Sequence, residues 1–242
     1  MSNSANKPYE FVELPSKGLC YHENSPLRVG HIAMYYLTAK DENFLLNLAL
    51  NKSNDVRSFI QSKIVDTKIS VDDICRGDLD AIFIWLRKTG YGDDFIIDVT
   101  DVNSEKSFTT AINLSDVKNN DFDVCEDGDG NFMYFMKNGD ILSYRIIGYY
   151  KLESLYEEIS EKTDKQEETL DFLLGNYTVS VNGSKDTDFI KNYIKQIDME
   201  EKVLYWLYIN DSSPSVNNVL AVNIQGKDTD ILLKINSDFL IM

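Results

Sequence analysis

The chain has 242 residues, enough for one large domain or two small ones, and its 43% apolar share with few glycines and prolines supports a real core. That balance excludes fibrous, low-complexity and wholly disordered classes. Against 24 basic residues stand 40 acidic ones, a net charge of −16 that repels phosphate backbones and anionic membranes and favours protein partners with basic patches. The plainer reading of the same charge is solubility alone.

Residues 1–7 read as a flexible tail. PYEFVELPSKGLCY follows as an extended arm, in which Pro15 biases Leu14 away from helix and Gly18 can supply a positive φ. LRVGHIAMYYL reads as a strand or two. A helical block begins at Thr38, which stands with Asp41 at capping-box spacing, and Phe44, Leu45 and Leu48 share a face. A second helix is expected from about Ser53, with Val56, Phe59, Ile60 and Ile64 in register. A third is capped by Asp78, carries Leu79, Ile82, Phe83 and Leu86 at helical spacing, and stops at Gly90 or Gly92. These three helices are expected to bundle.

The pattern then turns to strands. FIIDVTDV and SFTTAINL flank Asn103-Ser104-Glu105-Lys106 as a hairpin, and NFMYFMK and DILSYRII flank Asn138-Gly139, a pair suited to a type I′ turn. Residues 152–162 and 166–174 look helical and acidic, a further helix spans Asp186 to Gln196, and MEEKVLYWLYI forms the next. VLAVNIQGKDTDILLKINSDFLIM closes the chain as a hairpin. FTTAINLSDV (108–117) and ILLKINSDFL (231–240) share Ile-Asn after four strand-like residues, so either one small β module is used twice or chance has produced the likeness. The fold class expected is α+β: an N-terminal arm and helical block (8–92), a β-hairpin region (93–150), and C-terminal helices with a closing hairpin (151–242), all in one compact unit.

Chemistry-bearing motifs are missing. Cys20 and His22 form C-x-H, but His31, Cys75 and Cys125 are remote, and zinc sites use paired ligands on both sides of a loop. Three cysteines without C-x-x-C spacing fit a reducing compartment. The start MSNSANKPYE shows no apolar secretory core, and no run approaches a ~20-residue membrane span, so the cytosol is the expected place of folding. EDGDGN (126–131) fails the EF-hand count. From Asp127, positions six and twelve are Phe132 and Asn138; from Asp123 they are Gly128 and Tyr134. A polar turn is the reading preferred. The nucleophile-elbow, P-loop and dinucleotide fingerprints are absent. Asp72-Asp73 and Asp93-Asp94 read as solvated carboxylates rather than a catalytic pair. No catalytic residue, no cofactor and no metal is expected, and the chain reads as a non-enzyme.

The order of short motifs resembles the baseplate hub and hub-assembly proteins of T-even-type contractile-tailed bacteriophages. Members open with LPSKG-x-x-Y, matched by Leu14, Pro15, Ser16, Lys17, Gly18 and Tyr21. A T-x-K-[DE]-E helix start is matched by Thr38, Lys40, Asp41 and Glu42. An acidic residue ahead of an apolar helix running into R-x-x-x-x-G is matched by Asp78, Arg87 and Gly92, and a closing D-F by Asp238 and Phe239. Residues 150–215 carry little of the likeness. Some relatives hold cysteine pairs in their hairpins; TDVNSEKS and QGKDTD here have none, which removes that metal role.

The resemblance implies a tail-baseplate component made in the host cytoplasm, either retained in the virion or acting only in assembly. The partners it implies are other tail and baseplate proteins, further copies of the chain among them in a threefold or sixfold setting. Nucleic acid, membrane and small-molecule substrates are not expected. Leu14, Pro15, Ser16, Lys17, Gly18 and Tyr21 are then the candidate contact or fold-defining motif: either the segment docks the arm and presents Lys17 and Gly18 to a partner, or it packs only the protein's own core. The alternative function is an acidic cytosolic protein-binding or regulatory module unrelated to tails, using the helices of 152–174.

Overall fold

A computed structural model describes residues 7–51, 56–100, 107–122, 124, 126–224 and 227–240. Most of the tail, Ser53, the turn Asn103-Ser104-Glu105-Lys106, Asp123, Cys125 and the start of the turn QGKDTD lie outside the described residues, as does the Leu48 side chain. The mixed α+β architecture expected from the pattern is found, with helices and small antiparallel sheets alternating along the chain.

Strand β1 (Tyr9–Glu13) pairs antiparallel with β2 (His31–Tyr35) in the register Val12↔Ile32. The arm is thus a hairpin limb, not a lone extended segment. Its long loop folds into successive turns over 15–20 and a 3-10 turn, Pro26–Val29. Of LRVGHIAMYYL only HIAMY, His31–Tyr35, is strand. Ser25 caps the 3-10 turn by accepting from the Leu27 amide at 3.3 Å, Pro26 opens it, and Gly30 closes it in the left-handed region.

Helix α1 (Ala39–Asn51) starts as expected: Asp41 accepts from the amide and hydroxyl of Thr38 at 2.8 and 2.6 Å. Helix α2 (Val56–Lys63) meets α1 through Phe44 stacked on Phe59 at 5.5 Å and through the Lys63–Asp41 ion pair. Helix α3 (Arg76–Tyr91) ends at Gly92. It lies against β1 and the closing 3-10 turn, so strands and turns complete the helical block.

Strands β3 (Asp94–Thr100) and β4 (Ser107–Asn113) form the first hairpin, and β5 (Asn131–Phe135) and β6 (Ile141–Arg145) the second. The Asn138-Gly139 turn is not type I′, because only Gly139 has positive φ. Met136 pairs with Asp140 across a three-residue loop, the type I turn plus left-handed glycine that this loop length selects. The type I′ geometry instead occupies Asn182-Gly183, where both residues have positive φ and Val181 and Ser184 exchange two backbone hydrogen bonds. That turn follows β7 (Thr178–Val181), a third strand on β6 that the sequence pattern did not reveal.

Helices α4 (Tyr149–Ser160), α5 (Gln166–Tyr177), α6 (Thr187–Gln196) and α7 (Met199–Asp211) gather around α5. Asp186 and Asp198 cap α6 and α7 by accepting from the amides of Phe189 and Glu201. Strands β8 (Val219–Ile224) and β9 (Lys227–Leu232) close the chain, followed by a 3-10 turn, Ser237–Leu240.

The β3–β4 and β8–β9 hairpins are each followed by a 3-10 turn, and β4 lies beside β8. The shared Ile-Asn pairs are not equivalent, however. Leu114 and Leu233 make the same closing bond, to Asp93 and Asn218. Ile112-Asn113 precedes that bond and Ile235-Asn236 follows it. One cluster of buried apolar residues runs from Val12 to Leu240 and takes residues from the N-terminal arm, the helical block, the hairpins and the C-terminal helices.

Candidate functional site

The LPSKG segment wraps the N-terminal end of α3. Leu14, Pro15, Ser16, Gly18 and Tyr21 are buried, and Lys17 alone is exposed. Asp78 is fully buried at the third position of α3 and does not cap its own helix, contrary to the sequence expectation; Cys75 holds the cap position without a side-chain bond. The reason is a stronger set of donors. Asp78 accepts from the Ser16 amide at 2.9 Å, the Ser16 hydroxyl at 2.7 Å and the Tyr21 hydroxyl at 2.5 Å. The Tyr21 oxygen in turn accepts from the Cys75 amide at 3.3 Å, supplying the missing cap. The helix N-terminus favours the carboxylate there. Burial nonetheless pushes the Asp78 carboxyl above its ordinary range, with the bonds from Tyr21 and Ser16 pulling it back. Burial, then the Asp78 charge, pushes the Tyr21 hydroxyl well up, so it remains a donor.

The outer side of the loop is clamped as well. Arg28 donates to the carbonyls of Leu19 and Tyr21, each at 3.2 Å, and pairs with Glu126. Lys17 and Gly18 both adopt left-handed φ, 50° and 81°. A Cβ on Gly18 would fall 2.2 Å from the Arg28 carbonyl oxygen, so close approach as well as φ requires glycine. Lys17 Nζ donates to the Phe122 carbonyl at 3.2 Å.

The other residues of the resemblance lie along the same frame. Arg87 is buried with Nε and Nη1 lacking acceptors, its guanidinium 4.6 Å from the Tyr91 ring and 5.2 Å from Phe95. Phe95 packs on Phe239 at 4.9 Å, which ties the closing D-F to the C-terminal half of α3. Asp238, Lys40 and Glu42 are exposed. LPSKG-x-x-Y and the closing Phe239 therefore meet along α3, whereas Thr38 and Asp41 serve the start of α1.

Glu126 and Asp127 of EDGDGN turn back on their own loop. Glu126 accepts from the amides of Gly128 and Gly130, and Asp127 from those of Asp129 and Asn131. Among the described residues no group of three or more His, Cys, Asp or Glu side chains could hold a metal ion. Asp72 pairs with Arg57, Asp73 with Lys151, and Asp93 with Lys88 at 3.7 Å. No described helix is long and apolar enough to cross a membrane.

Helix α7 lies where MEEKVLYWLYI was expected to be helical, but which side it turns inward is a feature that the periodicity did not reveal. It buries Glu201, Lys202, Tyr205 and Ile209 and exposes Met199, Val203, Leu204, Leu207 and Tyr208. Lys202 is 1% exposed and pairs with Asp171 on α5 at 2.6 Å. The Glu201 carboxylate accepts from Tyr134 at 3.0 Å. Tyr134 of β5 stacks on Tyr205 at 4.8 Å and packs on Tyr208 at 5.1 Å, fixing the helix against the sheet. Phe135 and Met133 on the other face of β5, with Ile141 opposite Phe135, give a second exposed apolar face, and Tyr9 and Phe11 on β1 a third.

No protein-family model, curated protein or solved structure matches the chain.

Proposed function

We propose that the chain is a structural or assembly protein of the central hub of a phage tail baseplate, acting by protein–protein binding without turnover. The observation that carries binding is the outer face of α7, which exposes large apolar side chains while Glu201 and Lys202 are turned inward. The tail setting rests on the ordered motifs from Leu14 to Phe239, and the acidic charge suits partners with basic surfaces by speeding encounter and fixing register. The frame around Asp78 holds the chain in one shape, and on this reading LPSKG-x-x-Y is fold-defining, with exposed Lys17 not required for partner contact. Assembly takes place in the host cytoplasm on this reading.

The test is purification of the tagged full-length chain from infected cells, with mass spectrometry of its partners and of finished particles. Tail-hub proteins among the partners support the reading, and presence in particles makes the chain a structural subunit rather than an assembly factor. Recovery without any tail protein overturns the hub assignment and leaves an acidic binding module.

A further inference from the structure

An outward apolar stripe on a water-soluble helix is costly unless something covers it. On α7 the central part of the outward face is wholly apolar: Val203, Leu204, Leu207 and Tyr208 stand at the 1, 4 and 5 spacings that make one continuous surface, and Met199 extends it by a turn. Leu207 is half exposed. The helix is 13 residues, about 20 Å.

Size and charge choose among occupants. These five side chains offer on the order of 400 Å², within the range of functional apolar patches but about half the ~800 Å² per partner of a stable globular interface. A single helix fits that area better than a second globular copy. Each copy also carries −16, which opposes self-association. Carboxylates stand at both ends of the stripe: Glu200 in the first turn, offset by Lys137, and Asp211 in the last. The last turn of α7 has no basic residue, so Asp211 and the negative end of the helix coincide. A cation is favoured at that end.

We propose that the outer face of α7 receives an amphipathic helix of another protein, its apolar stripe flanked by lysine or arginine and a basic group set against Asp211. The inference rests on the protein-binding reading above and deepens it by naming the surface and the partner chemistry.

The probe is a synthetic amphipathic helix with a leucine stripe and lysine flanks, compared with a twin of the same stripe and glutamate flanks. Binding to the full chain is read by fluorescence anisotropy and by amide NMR shifts. The lysine peptide is expected to bind at least about tenfold tighter than its twin, with shifts over 199–211. The double variant Val203→Asp/Leu207→Asp should lose at least about tenfold in affinity while keeping its melting temperature, because both side chains face water. Asp211→Asn should narrow the preference for lysine flanks. Equal binding of the two peptides, shifts confined elsewhere, or indifference to the double variant would overturn the proposal. So would a dimer of the wild type that the double variant dissolves, which would give the face to a second copy. The peptide test does not depend on the phage setting. A chain that binds the lysine peptide but recovers no tail protein loses the hub assignment and keeps the α7 surface. A chain whose double variant still recovers tail proteins keeps the hub assignment and loses the α7 surface.

Discussion

Asp78→Asn removes the charge at the centre of the frame while keeping the side chain's shape. The carboxylate accepts three hydrogen bonds, two from Ser16 and one from Tyr21. A hydrogen bond to a charged group contributes about 1.5–3 kcal/mol, against about 1 for a neutral pair. In the amide, the NH2 group either faces the Ser16 N–H or takes the place of the oxygen shared by the Ser16 and Tyr21 hydroxyls, which must then turn to accept, and the surviving bonds fall to neutral strength. Burial works the other way. It pushes the Asp78 carboxyl up, so the neutral side chain is easier to bury and recovers part of the loss. The net cost is about 3 kcal/mol. For a chain of this length that lowers the melting temperature by about 6–12 °C. Thermal and urea unfolding at pH 7 give the number, and Tyr21→Phe supplies the partner variant. Because the two groups share one bond, the double variant should cost at least about 1 kcal/mol less than the sum of the singles. A stability within about 0.5 kcal/mol of wild type, or strict additivity with Tyr21→Phe, would refute the reasoning.

Gly18→Ala should cost more than about 3 kcal/mol in unfolding experiments, since the new Cβ meets the Arg28 carbonyl in a left-handed backbone, whereas Lys17→Ala, which deletes an exposed side chain, should cost less than about 1. Lys202→Met leaves Asp171 unpaired and should destabilise by about 3–5 kcal/mol, and adding Asp171→Leu should recover most of it. Asp80 has its carboxyl pushed up to about 6, by burial against the pull of Arg76 at 2.8 Å. The folded chain then binds a proton that the unfolded chain has released, so stability contributed at low pH is lost as pH rises from about 4 to about 6, on the order of 2 kcal/mol. Asp80→Asn should flatten that part of the unfolding-versus-pH curve and stabilise the chain at pH 7.

Much of the architecture was legible because its signals are local. Thr38 with Asp41, the 3.6-residue spacing of Leu79, Ile82, Phe83 and Leu86, and the strand pairs flanking Asn138-Gly139 each follow from short-range geometry. The errors share a different cause. Asn138-Gly139 and Asn182-Gly183 are the same dipeptide, and only the length of the loop between paired residues separates a type I′ turn from a bulged one. Asp78 reads as a cap from its neighbours, yet its donors come from Ser16 and Tyr21, 62 and 57 residues away. Strand β7 has four residues, too few for alternation to register. On α7 apolar residues occupy every side of the helix, so spacing gives no direction. The inward turn of Glu201 and Lys202 depends on Tyr134 and Asp171 and is visible only in three dimensions.

The most direct measurement compares three versions of the tagged chain in infected cells: wild type, Lys17→Ala, and Val203→Asp/Leu207→Asp. The partners of each are quantified by mass spectrometry. Tail-hub proteins are expected with the wild type and with Lys17→Ala, and are expected to be lost with the α7 variant at unchanged expression and melting temperature. Tail proteins lost with Lys17→Ala but retained with the α7 variant would contradict this expectation, and would make the exposed lysine of the LPSKG turn the contact.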